Sequence, residues 1–209
     1  MIDLYTFPTP NGWKASIMLE EVGLPYKAHV VHISKDEQFA PDFLKISPNN
    51  KIPAIVDPDG PDGQPISVFE SGAILMYLAR KTKSELLPED PRKFVAVTEW
   101  LMFQMGSIGP MFGQMGHFVR FAQEDVPYGK KRYTDESRRI LGVMDKRLAE
   151  NDYLAGAYSI ADVASYGWAR SAEMMFDGLG EWSNVKRWFE MIGARPAVQN
   201  GITVPVLES

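Results

Sequence analysis

Apolar residues in this chain follow two different periods, and the switch between them restricts the fold more than any other feature. Up to Thr82, short strand-like runs alternate with helical ones, and beyond Pro91 only the helical period is left. The first part reads strand, helix, strand, a short helix, then a hairpin and a closing helix. That order predicts an α/β unit of about eighty residues built on a mixed four-stranded sheet. The second part predicts an all-helical domain. Lys81 to Pro91 is polar, holds two prolines and reads as the linker, which puts the domains at 1–83 and 91–209.

The first handover from strand to helix carries the chemistry. An apolar run from Ile2 to Phe7 is stopped by Pro8-Thr9-Pro10-Asn11-Gly12, and a helix with Ile17, Met18, Leu19 and Val22 follows. Thr9 and Asn11 thus stand at a helix N-terminus, where unpaired N–H groups and the helix dipole favour an anion. A thiolate would be stabilised there, yet the chain contains no cysteine, so any sulfur must arrive with a ligand. The plainer alternative is that Thr9 and Asn11 only cap the helix.

Gly23-Leu24-Pro25 turns the chain into a strand from Tyr26 to Ile33, on which His29 and His32 read as strand-surface residues. Phe39, Phe43, Leu44 and Ile46 predict a short amphipathic helix ending at Ser47-Pro48-Asn49-Asn50. In Lys51-Ile52-Pro53-Ala54-Ile55-Val56-Asp57, a proline opens a strand where no N–H is needed, and Ile52-Pro53 is a candidate cis peptide. Asp57 to Gln64 predicts a hairpin turn, Pro65 to Phe69 the returning strand, and Glu70-Ser71-Gly72 the start of a helix.

Beyond the linker, Arg92 to Phe121 carries a long helical pattern broken by Gly106, Gly109-Pro110, Gly113 and Gly116, which predicts a kink or a close approach of backbones. Its Met and aromatic stripe from Trp100 to Phe121 suits core packing or the wall of an apolar pocket, and His117 within it suits packing. Tyr128 to Glu150 is amphipathic. Ser159 and Asp162 form a capping-box pattern with Tyr158 and Val163 as its staple, a last helix spans Val185 to Ala194, and the tail from Gly201 has no periodicity.

Composition excludes several classes. A net charge of −5 without a long basic run argues against nucleic acid. No stretch approaches the ~20 apolar residues of a membrane span. Three scattered histidines and no cysteine offer no zinc ligand set. The absence of cysteine and of a secretory pattern at the N-terminus fits a reducing, cytoplasmic setting.

Taken together, four segments resemble the cytosolic glutathione transferases, and more narrowly their nu class of bacterial and fungal enzymes related to the fungal nitrogen-regulation prion protein. They are Pro8-Thr9-Pro10-Asn11-Gly12, Ile46 to Pro53, Phe69-Glu70-Ser71-Gly72-Ala73-Ile74 and Gly109 to Gln114. The chain departs from the family at Gly167-Trp168, in place of a common Pro-Trp. The resemblance implies a thioredoxin-like N-terminal domain, an all-helical C-terminal domain and a homodimer in which the helix after Glu70 and the one after Arg92 face the second subunit. It implies glutathione as co-substrate, in reduced or disulfide form, with a small electrophile or disulfide as the other reactant and no metal.

The residue chemistry agrees with that ligand. Glu70 suits the ammonium of the γ-glutamyl end, and Ser71 its α-carboxylate. Ile52, held before Pro53, suits pairing of its backbone with the cysteinyl unit. Gln38 and Lys51 are placed for the glycine end, and the family pattern adds Arg132 as a ligand contact, open to a second glutathione. Thr9 and Asn11 would stabilise the thiolate, with Tyr5 in strand 1 as a weaker candidate. Conjugation and disulfide reduction both stay open, as does a non-catalytic binding or regulatory protein on the same scaffold.

Overall fold

Ile2, Leu4 and Thr6 alternate along the first strand, β1 (Ile2–Thr6), and all three are buried, whereas Asp3 and Tyr5 turn to its other face. The computed structural model describes residues 1–207. After β1 come α1 (Gly12–Val22), β2 (Tyr26–Val30), α2 (Pro41–Ile46), β3 (Ala54–Asp57), β4 (Ile66–Phe69) and α3 (Ser71–Thr82). The sheet has four strands in the order β2-β1-β3-β4, with β1 parallel to β2 and the other pairs antiparallel. This is the mixed sheet expected from the sequence.

β2 is shorter than its apolar pattern predicts. The His32 N–H is taken by the Glu37 carboxylate at 2.6 Å, and the His32 carbonyl accepts from Lys35 N–H at 2.9 Å. These local bonds curl residues 33–39 into two 3-10 turns and leave α2 to start at Pro41. Ile17, Met18 and Leu19 of α1 and Ile74, Leu75 and Leu78 of α3 are fully buried as the two helices pack together. Asp57 fastens the hairpin to α3, accepting from the Tyr77 hydroxyl at 2.6 Å and pairing with Lys81 at 3.0 Å.

The second compact unit, Pro88–Gly193, holds α4 (Pro91–Phe103), α5 (Gly109–Gly116), α6 (Pro127–Ala149), α7 (Ile160–Met175) and α8 (Ser183–Gly193). Two π-helical segments, Gln104–Ile108 and His117–Phe121, flank α5. Pro110 has no N–H for the carbonyl four residues back, and the wider segment before it absorbs the mismatch. Gly109 and Gly113 give room to the Trp168 ring of α7, since a Cβ on either would stand 3.3–3.4 Å from it. The capping box at Ser159 and Asp162 is present, and the Asp162 carboxylate also accepts from Leu154 N–H and the Trp188 indole.

The stretch between the last predicted helix and the tail holds an element that the pattern does not predict. Residues 194–207 join the first unit, Met1–Leu87, and form α9 (Pro196–Gly201) against α1. Six residues are too few to show a helical period, so the pattern hid this element. The Ser16 hydroxyl donates to the Gly201 carbonyl at 2.7 Å, and Arg195 forms a two-bond ion pair with Glu21 at 2.7 and 2.8 Å. A Cβ on Gly201 would lie 2.6 Å from the Ile17 Cα. Gly201→Ala is therefore expected to lower stability by about 1–3 kcal/mol through forced separation of the two backbones. Thermal melts should show a larger loss than for Ser16→Ala, which removes one hydrogen bond worth about 1 kcal/mol; an unshifted Gly201→Ala melt would contradict this packing.

Candidate functional site

Strand register decides what meets what. Tyr5 stands beside Ala54, and Ala54 beside Phe69. The exit of β1, the entrance of β3 and the exit of β4 therefore share one end of the sheet. The turn with Thr9 and Asn11, the Ile52-Pro53 bond and the Glu70-Ser71 helix start all lie just beyond that end.

The first of these is a tight reversal. A Cβ on Gly12 would fall 2.0 Å from the Phe7 carbonyl oxygen, so only glycine closes it. Thr9 caps α1: its hydroxyl accepts from Gly12 N–H at 3.1 Å, while its carbonyl accepts from Trp13 N–H at 3.0 Å. Asn11 occupies the N-cap position with helical dihedrals, and its side chain makes no capping bond. Capping thus falls to Thr9 alone, and its hydroxyl keeps a proton to donate.

At the second helix start, Ser71 is buried and begins α3, and Glu70 before it holds φ 67°, a left-handed value that is costly for a residue with a side chain. Asn49 Nδ2 donates to Glu70 Oε1 at 3.3 Å. Lys14, only 2% exposed, reaches from α1 to place Nζ 3.3 Å from Ser71 Oγ. Burial pushes the Lys14 ammonium down to about 7, against an opposing pull from the Glu70 carboxylate.

The third piece is Ile52, whose bond to Pro53 is cis, as the sequence suggested. Ser47, fully buried, donates its hydroxyl to the Lys51 carbonyl at 2.7 Å and fixes the approach. The Ile52 side chain packs with Ile46 and Tyr5 on Val31, Phe43 and Ala54. Among the described residues no hydrogen bond engages the Ile52 main chain, which lies just past the end of the ladder. Lys51 is exposed. Gln38 donates to Asp36 at 3.4 Å, and its Oε1 is buried without a partner among the described residues. Tyr5 stacks on His29 at 4.8 Å, with His29 held by Asp3 at 2.6 Å. Its ring belongs to that cluster rather than to the Thr9 turn.

Arg132 stands in the second unit, exposed on α6. It lines a cavity of about 630 Å³ with Met111, Tyr128, Lys131, Glu136 and Arg139. The Arg139 guanidinium, bonded to Glu136 at 2.7 and 2.8 Å, and then the Arg132 charge hold the Glu136 carboxyl below its usual range. The Met and aromatic stripe divides: Leu101, Phe112 and Met115 are core, Met111 faces this cavity, and His117 packs edge-on to Phe118. Among the described residues there is no cluster of three or more side chains fit to hold a metal, and no helix is long and apolar enough to cross a membrane.

Residues 9–81 match the glutathione S-transferase N-terminal domain and residues 110–196 the glutathione S-transferase C-terminal domain. The chain belongs to the glutathione S-transferase family. It is 47% identical over 199 residues to the disulfide-bond oxidoreductase YfcG of Escherichia coli, covering 94% of this chain and 92% of that one. A glutathione transferase from Pseudomonas putida, solved with one glutathione disulfide per subunit, superposes with a TM-score of 0.92 at 48% identity, over 98% of this chain and 91% of the other. A family member from Pseudomonas fluorescens pf-5, solved with two glutathione bound, gives 0.93 at 48% identity, over 98% and 93%.

Against this glutathione S-transferase frame, two residues at the α3 start were not singled out by sequence pattern, Lys14 and Asn49. Lys14 did leave a signal, since it shares the apolar face of α1 with Ile17 and Met18 at helical spacing. Asn49 left none, because its partner lies 21 residues away. The strain at Glu70 is testable without any ligand. Glu70→Gly should be about 1 kcal/mol more stable than Glu70→Ala, because glycine adopts φ 67° without a Cβ clash. Equal urea midpoints for the two variants would argue that the backbone there is unstrained.

Proposed function

We propose that this chain is a glutathione-dependent enzyme that ionises the glutathione thiol at the start of α1 and uses it for disulfide reduction or conjugation. The observation that carries the reading is the shared sheet end. There the Thr9 hydroxyl, the open main chain of Ile52 and the N-terminus of α3 stand together. Residues 1–83 supply this site. The glutathione-bound relatives and the disulfide-bond oxidoreductase at 47% identity support it.

In this reading the cysteinyl unit pairs with Ile52 as an added strand would. Ser71 donates its hydroxyl and N–H to the α-carboxylate, and Glu70, steadied by Asn49, accepts from the ammonium. Lys51 and Gln38 serve the glycine end. Thr9 and Asn11 donate hydrogen bonds to the thiolate without taking its proton, which leaves to solvent. In disulfide reduction the thiolate attacks one sulfur of the substrate, forms a mixed disulfide and expels the other sulfur as a thiolate. A second glutathione thiolate then attacks the glutathione sulfur of that intermediate, giving glutathione disulfide and the second substrate thiolate. Arg132 is the proposed carboxylate partner of the second glutathione. A cytoplasmic homodimer completes the proposal; exposed Val95 and Met102 on α4 support an assembly face.

The first test pairs glutathione binding with turnover of a small disulfide such as bis(2-hydroxyethyl) disulfide. Binding with turnover is expected, and binding alone would favour a non-catalytic protein. Ser71→Ala removes a charge-assisted hydrogen bond of ~1.5–3 kcal/mol remote from sulfur. It should raise KM for glutathione about tenfold or more while kcat changes little. Thr9→Ala and Asn11→Ala should move the pH–rate profile to higher pH, by about one unit for each ~1.4 kcal/mol lost at the thiolate, with affinity nearly unchanged. If only Tyr5→Phe moved it, thiol activation would belong to Tyr5.

A further inference from the structure

Lys14 is a long cation sealed inside the first unit, and the steps above do not use it. A lysine gives up strong hydration when buried, and here it does so 3.3 Å from one particular hydroxyl, that of Ser71. We propose that Lys14 is a positioning residue for Ser71: its ammonium donates into the Ser71 oxygen, the Ser71 proton is thereby turned toward the α-carboxylate of glutathione, and the bound carboxylate in return holds Lys14 in its charged form. The proposal rests on the glutathione reading given above.

Hydrogen-bond capacity sets the roles of the two side chains. A serine hydroxyl has one proton to give and two lone pairs to receive. An ammonium can only donate, so contact with charged Lys14 uses a lone pair and frees the proton for an anion at the α3 N-terminus. A neutral amine has a lone pair of its own and can accept the Ser71 proton, which takes it away from that anion. Burial brings the two forms of Lys14 close to balance, with an ammonium pushed down to about 7. An arriving carboxylate adds negative charge close to it, where little water screens the attraction.

Several charged and polar groups on the neighbouring elements have partners of their own. From α3, Glu70 faces Lys14 and favours its charge, while Tyr77 and Lys81 engage Asp57 and Arg80 is exposed on the third turn. From β1, Asp3 is held by His29 and Tyr5 stacks on the same ring. From α9, Arg195 pairs with Glu21, and Asn200 reaches Glu20 on the last turn of α1. The ligand's own ammonium is a like charge, and Glu70 is its proposed acceptor.

The sign follows. Well below pH 7 Lys14 is charged with or without ligand, so binding takes up almost no proton there. Above it, the free protein has lost a proton that the carboxylate recovers, so affinity falls as pH rises and binding draws a proton from solution.

The experiment is titration calorimetry with S-methylglutathione, whose blocked sulfur removes the thiol proton from the balance. It is run at pH 6, 7 and 8 in two buffers of different ionisation heat. The wild-type protein should take up roughly half a proton at pH 7 and close to none at pH 6. Lys14→Met should lose that uptake and bind roughly tenfold more weakly at pH 6. Wild-type binding with no buffer-dependent heat at any of the three pH values would overturn the proposal and leave the glutathione reading intact, even if Lys14→Met failed to fold. Unchanged affinity in a folded Lys14→Met would overturn it likewise. Failure of the wild-type protein to bind S-methylglutathione at all would overturn the glutathione reading itself.

Discussion

The contact of Gly12 with the Phe7 carbonyl sets the rest of the first unit. With a hypothetical Cβ only 2.0 Å from that oxygen, the chain reverses within five residues of leaving Phe7 and starts α1 at once. Each later feature of the site inherits its direction from this reversal. It aims the first-turn N–H groups at the open end of the sheet, brings Thr9 back onto Gly12, and lays α1 against α3 with Lys14 reaching Ser71. A looser turn would move the proposed thiol and carboxylate sites together, because one helix carries the first and props the second.

Charge placement explains how an acidic chain can favour an anionic ligand. The net charge of −5 describes the whole surface, while the sheet end collects two helix N-termini and one buried ammonium. Partial charges of this kind need no long side chain to be ordered on binding. Glu70 stands among them as the one proposed partner for a ligand cation, and its φ of 67° is the conformational cost of putting a carboxylate there.

How much of this was legible in the sequence depended on whether the cause was local. Alternation along β1, the cis Ile52-Pro53 bond and the Ser159–Asp162 box are settled within a few residues, and pattern reading reached them. The close packing of α5 was visible only as a run of glycines, because the ring that Gly109 and Gly113 admit, Trp168, lies on α7. Likewise, Lys14 on an apolar face was readable as an oddity, but its partner is 57 residues further on. Residues 31–33 misled for the opposite reason: Val31 and Ile33 continued the strand pattern while the Glu37 carboxylate captured the His32 N–H. Thr9 and Asn11 looked equivalent as caps, and only the turn's closure separated them.

α9 closes the first unit with residues that lie beyond the whole helical domain in the chain. During translation the sheet and α1 emerge from the ribosome long before Gly201 exists. The outer side of α1, with Ser16 and the Ile17 backbone, stays uncovered until more than a hundred further residues have been made. The helix that bears the proposed thiol site therefore reaches its final packing only near the end of synthesis. A nascent chain stalled inside the helical domain would present that bare face to chaperones.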